Sequence, residues 1–228
     1  MQRHFDDELQ QLKEKLLRMS SLVEEIIVTS IKALLDRNAQ LAEKVVKSDH
    51  AIDMLEIEID DLSLRLLALY QPQAGDLRFI TSTMKINNDL ERIGDLAVNI
   101  SQRTLDLLKV PPFKSTDLIE MTIASQKMLK DSINAFVNRD PVLAKEVCKR
   151  DDEVDNLNHK IFMKLLTDKP HELPEVERAI DLILVAKNLE RIADHSTNIC
   201  EDVIYMVEGK IIKHHILDRD YEKGKASV

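Results

Sequence analysis

Glycine is scarce in this chain: of 228 residues only Gly75, Gly94, Gly209 and Gly224 are glycine. Their spacing cannot produce a GxGxxG or a GxxxxGK[ST] loop, so phosphate cradling of that kind is excluded. Tryptophan is absent and aromatics make up 4% of the residues, which with so few glycines argues against an all-β fold. Two cysteines, Cys148 and Cys200, supply neither a disulfide framework nor a CxxC zinc or redox pair. The longest apolar runs, such as residues 182–186, fall far short of the ~20 residues of a membrane span. The opening stretch MQRHFDDELQQLKEKL has no apolar segment, so no signal peptide is expected. Acidic residues number 41 against 32 basic ones, for a net charge of −9, which disfavours a nucleic-acid partner. The expectation is a cytoplasmic chain that meets a membrane only through partners.

What the chain does contain is helical periodicity. Apolar residues recur every three or four positions, as in Ile52, Leu55, Ile59, Leu62 and Leu66. Breaks fall at Pro72 and Gly75, Pro111-Pro112, Pro141, and Pro170 with Pro174. One further break is needed before residue 70, and Asn38 is the best candidate cap for it. Six helices are predicted, at 3–37, 39–70, 76–108, 115–138, 141–168 and 175–208. Short connections make successive helices antiparallel neighbours in a bundle.

The chain repeats itself. Residues 30–56 align with 132–158 at an offset of 102, with 11 of 27 positions identical. LERIGDLAVNI (90–100) aligns with LERIADHSTNI (189–199) at an offset of 99, with seven of 11 identical. The change of offset places a three-residue length difference in the loop between the two matches. The expected fold class is therefore all-α: two pseudo-twofold-related three-helix bundles arising from an internal duplication. The first unit spans 1–110 and the second 111–210, while 211–228, polar and aperiodic, read as a frayed tail.

Helical spacing also gathers acids. Asn88, Glu91, Asp95 and Asn99 share one face of the third helix, opposite Ile86, Leu90, Ile93, Ala97 and Ile100. Glu190, Asp194, Asn198 and Glu201 line the sixth. Asp49, Asp53, Glu56 and Asp60 form a stripe on the second helix, and Asp151, Asp155 and Asn158 one on the fifth. Such stripes are often solvated faces. Here no lysine or arginine is expected within them to offset the like-charge repulsion, and the arrangement occurs four times across both halves. Carboxylates one turn apart can share a hard divalent cation.

Other chemistry is missing. No histidine has a glutamate three residues before it, so the di-iron Glu-x-x-His pattern is absent. Neither HExxH nor GxSxG occurs. His195 reads as a boundary or capping histidine, and both cysteines read as structural thiols.

The doubled motif, E91RIGD95 and E190RIAD194, resembles the signature of the PhoU family, accessory regulators of bacterial phosphate uptake. ALYQPQAGDLR (68–78), the VPP linker (110–112), KRDDEVD (149–155) and VIYMVEGKIIKH (203–214) also match. The resemblance covers essentially residues 5–215. It implies two three-helix bundles in one flat molecule, often paired as a homodimer, with no catalysis of its own. It also implies that the acidic motifs hold multinuclear iron or zinc clusters in some members and are empty in others. By position the ligands would be Glu91, Asp95, Asp49 and Asp53 in the first half, and Glu190, Asp194, Asp151 and Asp155 in the second. Asn99 and Asn198 stand where some members carry a further acid. The implied partners are the ATPase subunit of the phosphate ABC transporter and the sensor histidine kinase of the phosphate regulon, which the family restrains when phosphate is plentiful. The rival readings are a metal-dependent bundle enzyme using the same carboxylates and a purely structural helical dimer.

Overall fold

The computed structural model describes residues 2–48, 50–112, 115–168 and 172–211, with side chains from residue 4 onward. Among the described residues there are helices and turns but no strand. The helices are α1 (Gln2–Leu35), α2 (Ala39–Ser48), α3 (His50–Tyr70), α4 (Ala74–Leu107), α5 (Thr116–Asn138), α6 (Pro141–Cys148), α7 (Asp151–Thr167) and α8 (Leu173–Glu208). The six expected helical segments are present. The second is described as α2 and α3 on either side of residue 49. The fifth is broken at Lys149-Arg150, where the Arg150 amide bonds Val147 O and so closes a tighter turn than an α-helix.

Local chemistry accounts for the boundaries. Asn38 Oδ1 accepts from the Leu41 amide at 3.1 Å, as its candidate role required. Its counterpart Asp140 accepts from Val142 and Leu143 at 2.9 and 3.0 Å, just before Pro141. The preceding residues, Arg37 and Arg139, both sit in the left-handed region at φ 50 and 52. The duplication therefore reproduces a backbone conformation as well as residues. Ser115 caps α5, and Gly209, at φ 68, ends α8.

The α1 stripe Leu12, Leu16, Met19, Val23, Ile27 and Ile31 is buried against α3 and α4. Ile86, Leu90, Ile93, Ala97 and Ile100 on α4 are all buried, as their spacing predicts. α4 and α8 share the most extensive packing, and through them the two halves meet. Arg78 Nε donates to Met206 O at 3.3 Å, Ser82 Oγ to Asp202 O at 3.3 Å, and Arg103 pairs with Asp181 at 3.3 Å. Partners rise along α4 as they fall along α8, so the helices are antiparallel. The pseudo-twofold shows here directly: Ser82 and Asp181 are equivalent positions, as are Arg103 and Asp202, so one contact is the symmetry mate of the other. The length difference between the halves lies in a helix rather than only in a loop, since α3 has 21 residues and α7 has 17. Of the expected tail, residues 212–228 lie outside the described residues.

Candidate functional site

Each LERI-x-D motif is anchored by its isoleucine. Ile93 and Ile192 are fully buried, which turns the acids two residues to either side toward the helix surface. Glu91 and Glu190 are half-buried, whereas Asp95 and Asp194 are exposed. Across from the first motif, α3 presents Asp53, Glu56 and Asp60, all half-buried. Across from the second, α7 presents half-buried Asp151 and exposed Asp155. Asp49, assigned to the first set, lies outside the described residues.

The carboxylates in each half feel one another. Burial raises the Glu91 carboxyl above its ordinary range, with Asp95, Glu56 and Asp53 adding to the effect and Arg92 opposing it. Glu56 is raised by burial and by Asp60, Asp53 and Asp95. In the second half Asp151 is pushed up to about 6 by burial, Asp194, Asp155, Asp152 and Glu190. Burial and Glu190 raise both Asp155 and Asp194, against the pull of Lys187. Seven of the eight assigned acids thus fall into two groups, one per half, each within electrostatic reach of its own members.

Two expectations need correction. Lys187, one turn before Glu190, forms an ion pair with it, so the second cluster is partly neutralised from its own helix. The repeat counterpart of Lys187 is Asn88, which leaves the first cluster without that lysine. Asn198 Nδ2 donates to Asp89 Oδ1 at 3.2 Å across the α4–α8 contact. His195 caps nothing; it is 7% exposed and its Nδ1 lies 2.8 Å from the same Asp89 oxygen. Polar residues that periodicity did not single out also take part. Buried Asn87 donates to Glu56 O and Asp60 Oδ1, both at 3.0 Å, and so ties α4 to the first cluster. The only signal in the sequence was an amide among the apolar positions of α4.

Two concavities adjoin these groups. A cleft of about 880 Å³ between α4 and α8 is lined by Lys85, Asn88, Asp89, Asn198, Asp202 and Tyr205, and the Lys85–Asp202 pair spans it at 2.8 Å. A groove of about 490 Å³ between α7 and α8 places Asp155, His159, Phe162, Lys187 and Glu190 together.

The all-oxygen carboxylate donor set suits a hard divalent cation, and Asp151 Oδ1 is buried with no hydrogen-bond partner. Neither Glu91, Asp95 nor Asp194 is ion-paired to an arginine among the described residues. The fit is one of charge and donor type. In the positions held here, no group of three or more His, Cys, Asp and Glu side chains among the described residues is arranged to hold a metal ion.

Comparison with known proteins follows the repeat. The sequence profile of the PhoU domain matches residues 16–104 and again 118–203. The chain is 42% identical over 214 residues to the phosphate-specific transport system accessory protein PhoU homolog of Aquifex aeolicus, covering 93% of this chain and 97% of that protein. It is 38% identical over 224 residues to homolog 1 of Thermotoga maritima, covering 97% and 95%. The crystal structure of PhoU from Pseudomonas aeruginosa superimposes with a TM-score of 0.87 at 35% identity, over 90% of this chain and all of that one. The phosphate transport system regulatory protein PhoU from Streptococcus pneumoniae does so with a TM-score of 0.84 at 31% identity, over 92% of this chain and all of that one.

Proposed function

The chain belongs to the PhoU family, and on that premise we propose that it is a cytoplasmic, non-enzymatic regulator of phosphate transport and phosphate signalling. One observation carries the proposal: the likeness extends over both repeats and nearly the whole length of relatives named as accessory or regulatory proteins of phosphate transport. No helix among the described residues is long and apolar enough to cross a membrane, which agrees with action at the membrane through partners.

The mechanism is docking. α4 and α8, of 34 and 36 residues, give each half a long helix with a buried isoleucine side and an acidic side. A face fixed by its core loses little conformational entropy on binding. The proposed partners are the ATPase subunit of the phosphate ABC transporter and the sensor histidine kinase of the phosphate response, which the chain, acting as a homodimer, holds in its repressing state. Deleting the gene, together with any second copy, is expected to switch on phosphate-starvation genes in phosphate-rich medium, as read by transcript levels. Silence of those genes after deletion would overturn the role.

We further assign Asp53, Glu91 and Asp95, with Asp49, as the cation-holding set of the first half, and Asp151, Asp155, Glu190 and Asp194 as that of the second. A bound divalent or iron/zinc cluster would neutralise the mutual repulsion of these acids and reverse the charge the face offers a partner. Elemental analysis of protein purified without chelator is expected to find stoichiometric metal, reduced by half in Asp95→Asn. Metal-free protein, or metal unaffected by that substitution, counts against the assignment.

A further inference from the structure

The groove between α7 and α8 is acidic at one end and apolar at the other. It brings together Asp155 and Phe162 of α7 with Leu184 and Glu190 of α8. The two helices pack directly, and only the stretch 168–172 separates them, so they run antiparallel. Phe162 lies about two turns after Asp155 and Leu184 about two turns before Glu190, which puts both acids at one end. Asp151 and Asp194, a turn beyond those acids, lengthen the acidic end, against which the groove sets Lys187. Leu166 and Ile180, a turn the other way, lengthen the apolar end. Phe162 and Leu184 are each 41% exposed, Leu166 53% and Ile180 52%.

The repeat shows that packing does not call for these side chains. The register that aligns the halves carries on along α3 and α7 and pairs Phe162 with Asp60. That of α4 and α8 pairs Ile180 with Thr81 and Leu184 with Lys85. Leu166 alone has an apolar counterpart, Leu64. The core is served by other residues, Val154, Ile161 and Leu165 on α7 and Leu182, Val185 and Leu189 on α8, all buried. One half thus folds with polar residues where the other shows a contiguous apolar stripe, and such a stripe marks an interaction site.

We propose that this groove is the docking site for an amphipathic helix of a partner protein. Its apolar face covers Phe162, Leu166, Ile180 and Leu184, and lysines or arginines at one end reach Asp155, Glu190 and Asp194. The inference rests on the docking reading above and adds the partner's chemistry. Charge complementarity selects this occupant, because the acids outnumber Lys187 at the end where the stripe stops. A second copy fits badly: a twofold contact through this groove buries its acids against apolar residues or against one another. A membrane of anionic lipids is repelled by the same acids.

The test uses the full chain and a fluorescein-labelled peptide of about 18 residues, long enough to span the groove as a helix. Leucines form one face, lysines fill the last turn, and alanine and glutamine take the other positions. After chelation, which bares the acids, anisotropy is expected to show saturable binding at one site per chain. Phe162→Asp combined with Leu184→Lys writes the first half's residues into the second at exposed positions. It is expected to weaken binding at least about tenfold, with the circular dichroism melt unchanged. Exchanging the peptide's lysines for glutamates is expected to weaken binding by at least about tenfold as well. On the wild-type chain as purified, a benzophenone on the leucine face is expected to crosslink within 155–167 or 180–190, a result that stands even if the variant misfolds.

Equal binding by the variant or by the glutamate peptide, no saturable binding, or crosslinks elsewhere overturn the proposal. So does a wild-type dimer that the double substitution dissociates, which gives the groove to a second copy. Flotation with phosphatidylglycerol vesicles that the same substitution abolishes gives it to lipid and overturns the proposal too. None of these results alters the gene-deletion outcome, so failure of the groove and failure of the regulatory role are told apart.

Discussion

Replacing Ile93 with alanine is expected to lower the unfolding free energy by about 2–5 kcal/mol. Its side chain is fully buried at the place where α4 meets the rest of its bundle, so truncation removes transfer energy and leaves a cavity. For a chain of this size the loss corresponds to a fall in Tm of about 5–15 °C, measurable by calorimetry or circular dichroism. Ile192, its repeat counterpart and equally buried, is expected to behave the same way. The same side chain fixes the direction of Glu91 and Asp95, which flank it on the surface side of α4. Ile93→Ala therefore tests whether the acidic face depends on the core behind it. A loss under about 1 kcal/mol would show that the site collapses without a cavity and that the anchor is dispensable.

The opposite sign is expected at Asp151. Two effects compete there. Asp151 opens α7, where the helix dipole favours a negative charge by about 0.3–1 kcal/mol. Burial and four neighbouring carboxylates oppose it, raising its pKa from 3.8 to about 6. At full strength that gap corresponds to about 3 kcal/mol, and solvent screening at a half-buried position reduces it to about 1–2 kcal/mol. Repulsion and desolvation win.

Because the folded state holds the Asp151 proton more tightly than the unfolded chain, the contribution is most favourable below the unfolded pKa of 3.8. It is lost as pH rises through about 6. Asp151→Asn keeps the shape and cannot ionise. In chelator-treated, metal-free protein it is expected to match the wild type near pH 3.5 and to exceed it by about 1–2 kcal/mol above pH 7, in denaturant unfolding at low salt. A difference independent of pH would mean that the neighbouring acids do not act on Asp151. The strain identifies a place where the fold carries a destabilising charge, as binding sites commonly do.

How much of this was legible beforehand depends on range along the chain. Ile86, Leu90, Ile93, Ala97 and Ile100 could be assigned to the core, and Glu91 and Asp95 to the opposite face, because both follow from a period of 3.6 residues. The capping by Asn38 and Asp140 was equally local, and the duplication made it recur. Lys187 was within reach of the same reasoning, three residues before Glu190, but a cation at the edge of a stripe shows its partner only once rotamers are set.

The amino-acid order by itself determined that this protein is a doubled helical triplet with acids outward and isoleucines inward, since periodicity, capping and repetition act over a few residues. The tertiary structure alone decided that Asp89 would engage His195 and Asn198, and that Arg103 would find Asp181. Those partners are 78 to 109 residues apart, and no local pattern links them. They meet because two helices from different halves dock antiparallel, and such docking is set by the shape of whole packed faces.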